Sequence, residues 1–473
     1  MKIIIIGNGI IALSTAYKIA KRASSADELY IIGNNKRTGS ATLAAPAMLN
    51  SYCEIGINTL SSKIDLFRFE LSQKATDSWP DLLSDLYNIS RDKIINEYTK
   101  GQTYGFGTYL INNTASDSLD DDNFNAIKDA LNTYGEEFIS VDPKEIPNYN
   151  PSQRNRANRA ILIPKEGWVN PFTIINCLEQ RLKDYENVHF IDKNVKKIEE
   201  SHGEIQQVIL EDGINCIGDK YLLATGASVS DLLIESKVDL IIPRIFYGVG
   251  VSVMIESKEY AQKNCIRTPN RGLACGIYTT PYCDNNLQST VIGATNLVSP
   301  TPIKNARVIS VQSLLKSAME QINKNFYNAE IKKINIGWRP TSADTYPLIG
   351  QTSIPNLIIC TGTKRDGIHL SPVISDVICS ILKGESIDER YSYFSPERDL
   401  IRTLNREDAI KDIVNHMISA AYQHGYDPGH IPISKQLIEY YKNDVERLHD
   451  KVGAIDWGIP PELVEMYRYG HIT

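Results

Sequence analysis

Residues 3–12, IIIIGNGIIA, decide the fold of this chain. A run of four isoleucines without a polar residue is typical of a parallel strand that is covered on both faces. A helical pattern of apolar residues follows over 10–20, and a second apolar run, LYII, occupies 29–32. The spacing predicts a strand–helix–strand unit of about thirty residues.

Small residues inside this unit predict a dinucleotide site. Gly7 permits the tight turn after the strand, Gly9 lets the backbone approach a pyrophosphate, and Ala12 lets the helix pack closely on the strand. We expect the amides of Ile10 and Ile11 to face the phosphates, because a helix N-terminus carries free N–H groups and a partial positive charge.

The end of the second strand departs from this pattern. An acidic residue is expected there to bind the ribose hydroxyls, but Gly33 and Asn34 occupy the place. Asn34 is the candidate for that hydrogen bond. Lys36 and Arg37 follow, and their charges favour a 2′-phosphate, as in NADP. This segment by itself leaves FAD, NAD and NADP open.

A second set of motifs lies near the other end of the chain. Its elements are Gly337-x-Arg339-Pro340, Asp344, Pro347-x-x-Gly350, the apolar strand that ends in Thr361-Gly362, and Arg365-x-Gly367 before a helix. Between the two ends lie the small-residue loop 40–49, EGWVNP at 166–171, LATGA at 223–227 and IGAT at 292–295. In this order, from residue 1 to about 400, the motifs resemble the D-amino-acid oxidase superfamily of FAD-dependent amine oxidoreductases, and its glycine oxidase branch in particular.

The resemblance implies an α/β fold. It consists of a Rossmann-type FAD-binding domain with an interleaved antiparallel-sheet substrate domain, and a C-terminal helical extension follows. The expected boundaries are 1–85, 156–239 and 336–402 for the discontinuous FAD-binding domain, 86–155 and 240–335 for the substrate-binding domain, and 403–473 for the extension.

The extension lies beyond the resemblance. Apolar periodicity predicts helices over about 405–424 and 434–451, and a short helix after Pro461. Their apolar faces need a partner surface, so the extension packs on the body, covers the active-site mouth, or joins a second copy or a partner protein. Its histidines match no standard metal-ligand spacing, and we expect no metal there; they are His416, His424, His430, His449 and His471.

The resemblance also implies that the cofactor is FAD, held without a covalent bond. Covalent members of the family carry a cysteine just after the Arg-Pro segment, whereas Cys360 lies inside an apolar strand. A helix N-terminus after Gly367 would stabilise the negative charge of a reduced flavin; the alternative is a plain connecting loop. The expected cofactor contacts are Gly7, Gly9, Ile10, Ile11, Ala12, Asn34, Arg37, Thr42, Ala44, Ala45, Met48, Val195, Thr225, Gly226, Gly362, Arg365, Gly367, Ile368 and His369.

Five residues are expected at the substrate. Arg339 matches the family's arginine that binds the substrate carboxylate through two parallel hydrogen bonds; the alternative is an ion pair with Asp344. Tyr278 matches a second carboxylate donor, or is an ordinary strand tyrosine. Met48 and Glu54 fall on the pocket wall, where Glu54 meets the substrate amine or lies at the entrance. His369 tunes the flavin or carries a proton, or is a satisfied buried histidine.

The implied reaction is oxidation of the C–N bond of an amino acid or secondary amine that bears a carboxylate. Hydride passes from the α-carbon to flavin N5, the imine is hydrolysed, and O₂ takes the electrons to give H₂O₂. No strong base is required, because orientation and a dry site supply the catalysis. Two alternatives stay open: an FAD-dependent 2-hydroxy-acid dehydrogenase, and a flavoprotein subunit that depends on a partner.

Composition excludes several classes of protein. The 473 residues are 42% hydrophobic and 23% charged, as in ordinary globular proteins. A net charge of −7 argues against nucleic-acid binding, and no apolar run is long enough to span a membrane. The apolar start is too short for a signal peptide, and the eight cysteines, which form no C-x-x-C pair, read as buried thiols. We therefore expect a cytoplasmic protein.

Overall fold

The computed structural model describes residues 1–22, 27–96, 103–113, 115, 118–271, 276–284, 287–423 and 431–472. His424 and His430, named above, and Cys275, one of the eight cysteines, lie outside these ranges. In the described part of the chain, no helix is both long enough and apolar enough to cross a membrane.

The described strands, in chain order, are β1 (Lys2–Ile6), β2 (Glu28–Ile32), β3 (Met48–Leu49), β4 (Tyr104–Asn112), β5 (Ile139–Val141), β6 (Arg159–Val169), β7 (Val188–Ile191), β8 (Val195–Ser201), β9 (Glu204–Leu210), β10 (Asn215–Cys216), β11 (Lys220–Leu223), β12 (Ile245–Glu256), β13 (Cys265–Arg267), β14 (Tyr278–Asp284), β15 (Leu287–Gly293), β16 (Leu297–Ser299), β17 (Glu330–Ser342), β18 (Leu348–Gln351) and β19 (Leu357–Thr361). The helices are α1 (Ile10–Arg22), α2 (Ala41–Ala44), α3 (Lys63–Tyr87), α4 (Arg91–Asn96), α5 (Ser118–Tyr134), α6 (Pro171–Lys183), α7 (Val229–Ser236), α8 (Val308–Gln321), α9 (Ser371–Lys383), α10 (Arg406–Gln423), α11 (Ile431–Lys451) and α12 (Val464–Arg468).

Strand β1 lies inside a six-stranded sheet with the order β18-β19-β11-β1-β2-β7. All neighbours pair in parallel except β18 and β19. Ile3 and Ile5 pack against α1, α6 and α9 on one face. Ile4 and Ile6 pack against α7 and the three-stranded sheet β10-β9-β8 on the other. The prediction of a Rossmann-type strand covered on both faces is confirmed, and its four isoleucines are at most 1% exposed.

The second sheet is larger and mainly antiparallel. Its order is β16-β12-β15-β14-β13-β4-β6-β3, with β17 paired to β12 and β5 to β6. Helix α8 packs against it, and Leu314 and Ala318 share a core with Val251 and Val253 of β12. The sheet includes β3, β6 and β17, which the sequence-based boundaries assign wholly or mostly to the FAD-binding segments. The division into domains stays a prediction.

Strand β17 connects the two sheets. It pairs with β12 over its whole length, with Arg339 opposite Gly248 and Gly337 opposite Gly250. The chain then enters β18 of the six-stranded sheet at Leu348. Arg339 is therefore placed where the chain passes from one sheet to the other.

The C-terminal extension is helical, as predicted, and packs on the body. Helices α10 and α11 pack on each other, and Val445 and Leu448 in the C-terminal half of α11 reach the apolar cluster, whereas Ile438, nearer the start of the helix, is 42% exposed. The cluster joins the body residues Phe246, Val298 and Ala343 to the extension residues Ile410, Ile413, Val414, Val445, Leu448, Ile459, Leu463, Val464, Met466, Tyr467 and Ile472.

Candidate cofactor and substrate site

A cleft of about 720 Å³ follows the carboxyl ends of β1, β2, β11 and β19. Parallel strands place these ends at one edge of the sheet, where dinucleotides bind in this class of fold. Most of the predicted cofactor contacts line the cleft: Gly7, Gly9, Ile10, Ile11, Asn34, Arg37, Thr42, Ala45, Val195, Thr225, Gly226, Arg365, Gly367 and Ile368.

The other predicted contacts have different positions. Ala44, Met48 and His369 line a smaller cavity beside the cleft. Ala12, in the first turn of α1, is fully buried, as its predicted packing role requires. Gly362 supports a turn with φ of +73°, where a Cβ would lie 3.0 Å from the carbonyl oxygen of Tyr346.

Gly7 and Gly9 serve the cleft in different ways. Gly7 has φ of +124°, and a Cβ there would lie 2.4 Å from the carbonyl oxygen of Ala224, so the protein itself requires glycine. A Cβ on Gly9 would find its nearest protein atom at 3.6 Å, in Thr42. The space at Gly9 is therefore left for a ligand, which agrees with its predicted approach to a pyrophosphate.

The polar groups of the cleft fit FAD. The hydroxyl of Thr225 is buried and has no hydrogen-bond partner among the described residues. Within the same residues, nothing accepts a hydrogen bond from the backbone amides of Gly367 and Ile368, which precede α9. In the first turn of α1, the amide of Ile10 donates to the hydroxyl of Thr42 at 3.3 Å, whereas the amides of Ile11 and Ala12 have no helical acceptor. Phosphate and flavin carbonyl oxygens are the acceptors that such donors take.

The side chain of Arg37 is already paired within the protein and is not available to bind a 2′-phosphate. Its side chain pairs with Glu179 of α6, and its Nε donates to the carbonyl oxygen of Asn8 at 3.1 Å. The side-chain oxygen of Asn34 accepts from the amide of Lys36 at 2.8 Å. The guanidinium charge is thus compensated within the protein, which argues against the NADP alternative.

The smaller cavity, of about 60 Å³, adjoins the cleft at Ala45, Arg339, Arg365 and Ile368. The structure brings all of the predicted substrate residues together on its walls, although they come from distant parts of the chain. They are Met48, Glu54, Tyr278, Arg339 and His369.

Arg339 is held at one edge of its guanidinium. Nη1 donates to the carbonyl oxygen of Thr295 at 2.8 Å and to Oδ1 of Asn296 at 3.3 Å. In the described structure, Nε and Nη2 make no hydrogen bond. Asp344, the alternative partner, is bound by Arg398 at 2.5 Å instead. The second edge of the fork is therefore available for a carboxylate.

Tyr278 and Met48 form the apolar part of the wall. Tyr278 is 5% exposed and packs with Met48 and Ala294. It faces Gly293 on β15, where a Cβ would lie 2.5 Å from its ring. Glycine at 293 thus makes room for the ring beside Arg339.

Glu54 lies in an ion-pair network. Its two carboxylate oxygens contact Nη1 of Arg267 at 2.6 Å and Nη1 of Arg365 at 3.3 Å. Burial alone would raise the pKa of Glu54, but the two arginine charges outweigh it and lower the pKa to about 2. Sequence reasoning missed Arg267, because the segment around β13 carries no recognisable motif.

His369 is a neutral, buried imidazole. Burial lowers its pKa to about 4 against the weaker opposing pull of Asp366 and Glu54. Its Nε2 lies 2.9 Å from the hydroxyl of Thr76, and its carbonyl oxygen accepts from the indole of Trp79 at 2.8 Å. Helix α3 therefore fixes this histidine in the cavity wall.

A chamber of about 290 Å³ lies on the other side of Glu54, Arg365 and Asp366, which it shares with the small cavity. The C-terminal extension forms part of its wall, with Asp412, His416, Gly458, Pro460, Pro461 and Glu462. Sequence reasoning did not assign these residues to the site. They carry no motif, and only the folded chain brings them to it.

Cys360 lines the cleft but is only 2% exposed. Burial raises the pKa of its thiol to about 12. The reactive thiolate is therefore scarce at neutral pH, which supports a non-covalently bound cofactor.

Comparison with known proteins agrees with this geometry. The family model described as DAO, FAD dependent oxidoreductase, matches residues 2–381. Among solved structures, iminodiacetate oxidase from Chelativorans sp. is 18% identical with a TM-score of 0.67, and covers 84% of this chain and 100% of its own. Glycine oxidase from Bacillus cereus is 22% identical with a TM-score of 0.66, and covers 85% and 99%. These two likenesses show the fold.

Curated relatives are matched over part of their length. The bifunctional protein ThiO/ThiG of Nostoc sp. is 27% identical over 205 residues, which is 43% of this chain and 29% of that protein. The chain spans about a third of the length of such relatives. Helices α10 to α12 follow the end of the family match at residue 381. With four fifths of the sequence matched, the chain belongs to the DAO family of FAD-dependent oxidoreductases, and its cofactor is FAD.

Proposed function

We propose that this oxidoreductase acts on the C–N bond of a small amine that carries a carboxylate. The observation that carries the proposal is the open edge of the Arg339 guanidinium in the small cavity beside the FAD cleft. A planar fork of N–H donors matches the two oxygens of a carboxylate and stays charged at any working pH.

The size of the cavity favours a short substrate. One water molecule needs about 10–15 Å³ of such space, so about 60 Å³ holds roughly five non-hydrogen atoms. Glycine and N-methylglycine have about this size. The fold relatives include a glycine oxidase and an iminodiacetate oxidase, whose names denote amines of the same class.

The charges around the cavity favour a neutral amine. Both carboxylates of the wall are already compensated within the protein, Glu54 by Arg267 and Arg365, and Asp366 by Arg68. A substrate ammonium would therefore gain little there. A neutral amine keeps its lone pair for the developing C=N bond, so the enzyme needs to orient the substrate rather than to supply a strong base.

The protein residues have separate tasks in this scheme. Arg339 holds the carboxylate, Tyr278 and Met48 enclose the substrate, and the neutral His369 adds no charge to the cavity. FAD, when bound, accepts the hydride and passes the electrons on, and we propose O₂ as their acceptor, with H₂O₂ as product.

Anaerobic absorption spectroscopy of the purified FAD-containing protein tests the proposal. Glycine or N-methylglycine should bleach the flavin absorption, and ammonia or methylamine should then be released in equal amount. Bleaching by glycolate alone would establish the 2-hydroxy-acid reaction instead. No bleaching by any small amino acid or N-alkyl glycine would contradict the proposed substrate class. Admitting O₂ should restore the absorption and produce H₂O₂; a flavin that stays reduced would show a dehydrogenase.

Variants of Arg339 test its part. Arg339→Ala should retain FAD and lose reduction by the amine, because the carboxylate is no longer held. Arg339→Lys keeps the charge but loses the fork, so it should recover only part of the rate. Arg91, on the surface in an ion pair with Asp81, gives the matched control Arg91→Ala, which should behave as the parent.

A further inference from the structure

Glu462 lies in a tightly packed segment of the C-terminal extension. Its neighbours Ile459 and Leu463 are fully buried in the cluster that joins the extension to the body. Two prolines, Pro460 and Pro461, precede it and restrict the backbone. The amide of Ile459 donates to Nε2 of the buried His449 at 3.1 Å. The carboxylate of Glu462 is therefore held in one place by its own segment.

This carboxylate reaches two residues of the body. One oxygen forms an ion pair with Lys364, in the loop between β19 and α9, and the other accepts from Nδ2 of Asn296 at 3.2 Å. Burial alone would raise the pKa of Glu462, but Lys364 and Arg365 outweigh it and lower the pKa to about 2. The two cations thus favour the ionised form of Glu462.

Asn296 connects Glu462 to Arg339. Its Nδ2 donates to Glu462, while its Oδ1 accepts from Nη1 of Arg339 at 3.3 Å. An amide has donors on one side and an acceptor on the other. With a carboxylate on one side and a guanidinium on the other, only this orientation satisfies both groups. The anion in the extension therefore fixes which way the amide points.

The ion pair between Glu462 and Lys364 makes a second connection to the segment that carries Arg339. The backbone amide of Lys364 donates to the carbonyl oxygen of Pro340 at 2.9 Å, directly after Arg339. The side chain of Lys364 is 9% exposed, so a missing partner would leave a poorly solvated charge in the FAD loop. Both contacts of Glu462 thus bear on the backbone or the side chain at 339 and 340.

We propose that Glu462 is a positioning residue for Arg339, supplied to the active site by the C-terminal extension and acting through Asn296 and Lys364. The proposal rests on the proposed function, in which Arg339 binds the substrate carboxylate. It gives the extension a part in substrate binding beyond packing on the body.

Binding of acetate to the FAD-containing protein tests this, because acetate offers the carboxylate without the amine. The Kd is measured from the change in flavin absorption. Glu462→Gln, which keeps the shape and removes the charge, should weaken acetate binding about tenfold. It should raise KM for the amine by a similar factor and leave kcat within about threefold. Glu465→Gln is the matched control, because Glu465 lies three positions on and is exposed; its Kd should equal that of the parent.

Asn296 provides a second, independent variant. Asn296→Ala should also weaken acetate binding, and Glu462→Gln added to Asn296→Ala should weaken it by less than in the parent, because the two residues act in series. An unchanged Kd in both single variants would overturn the proposal. If Glu462→Gln fails to fold, Asn296→Ala alone decides in the same way.

The outcome for Arg339→Ala separates the two proposals. If that variant binds acetate as the parent does, the proposed function fails, and with it the basis for a role of Glu462. If Arg339→Ala loses acetate while the Glu462 and Asn296 variants keep it, only the positioning role is wrong.

Discussion

Glu54 and Arg267 form a partly buried ion pair in the wall of the small cavity, with Oε1 and Nη1 2.6 Å apart. The guanidinium of Arg267 is fully buried, and its other nitrogens donate to the carbonyl oxygen of Thr268 and to Asn270. Removing one partner of such a pair leaves an uncompensated charge in a poorly solvated place. The wall of the cavity therefore depends on Glu54 for its stability.

We predict that Glu54→Gln lowers the free energy of unfolding by about 3 kcal/mol at pH 7. The depressed pKa of Glu54, about 2, gives this a pH signature. The ordinary carboxyl value is near 4.5, so the stabilisation is complete above pH 4.5 and is lost as the pH falls towards 2. Urea unfolding at several pH values measures it, and the parent should lose more stability in this range than the variant.

Two further variants control this prediction. Glu204→Gln changes an exposed glutamate and should follow the parent at every pH. Arg267→Met added to Glu54→Gln removes the stranded charge and should restore part of the stability. Equal acid sensitivity in the parent and in Glu54→Gln would show that the pair contributes nothing.

Gly7 and Gly9 should respond differently to alanine. Gly7→Ala forces a methyl group to 2.4 Å from the carbonyl oxygen of Ala224 at a positive φ, so it should cost about 3 kcal/mol of stability even without FAD. A Cβ in Gly9→Ala would meet only Thr42, in ordinary van der Waals contact at 3.6 Å, so the apoprotein should unfold as the parent does. Its affinity for FAD should fall at least about tenfold, because the methyl group takes the place of the pyrophosphate.

Thermal unfolding of the apoprotein and titration with FAD check both variants. Gly226→Ala is not a suitable control, because Gly226 lines the cleft with φ of +62°. Gly367→Ala is a better comparison with the other two glycine variants. The φ of Gly367 is not positive, and a Cβ there would meet only the side chain of Thr363, whose hydroxyl would lie at 2.9 Å. An equal loss of apoprotein stability in Gly7→Ala and Gly9→Ala would contradict the different roles given to the two glycines, one required by the protein itself and the other by FAD.

The FAD-binding half was predictable because its signals are local. The four isoleucines of β1, the glycines that follow and the helix after them lie within one short segment, and each contributes to the same turn. Arg339 and Gly367 were recognisable for a similar reason, as parts of short motifs. The FAD-binding elements are thus predicted largely by residues that are neighbours in the sequence.

The charge pairing of the site could not be predicted. Glu54 and Arg267 are far apart in sequence, as are Lys364 and Glu462, and each pair meets only when separate elements pack together. Exposed and buried charges look alike in a sequence, so the sequence placed Glu54 either at the substrate amine or at the entrance and did not indicate its contacts with two arginines. For the same reason the sequence did not predict the ion pair of Arg37 with Glu179, which lies on α6.

Gly250 gives a test of Arg339 that leaves the arginine in place. A Cβ at 250 would lie 2.5 Å from Nη2 of Arg339 and 2.7 Å from Cζ, so Gly250→Ala should displace the guanidinium. We expect acetate binding about tenfold weaker with FAD content unchanged. The flavin titration that gives Kd measures both. Acetate binding as tight as in the parent would mean that the displaced fork still reaches the carboxylate.

Trp79, Thr76 and His369 form a contact between α3 and the loop before α9. The indole of Trp79 donates to the carbonyl oxygen of His369, and the hydroxyl of Thr76 lies 2.9 Å from its Nε2. The histidine is 4% exposed, and burial lowers its pKa to about 4. Protonation in the folded state is therefore unfavourable.

This depressed pKa predicts a loss of stability in mild acid. The unfolded chain protonates His369 near pH 6.5 and the folded protein near 4, so the unfolded state binds more protons between these values. The parent should lose about 3 kcal/mol more than His369→Gln between pH 7 and 4. Urea unfolding of both proteins measures the difference, which isolates His369 from the half-buried His416 and the buried His449. His202→Gln, at an exposed position, should lose as much as the parent. Equal losses in the parent and His369→Gln would mean that this imidazole is protonated as readily in the folded protein as in the unfolded chain.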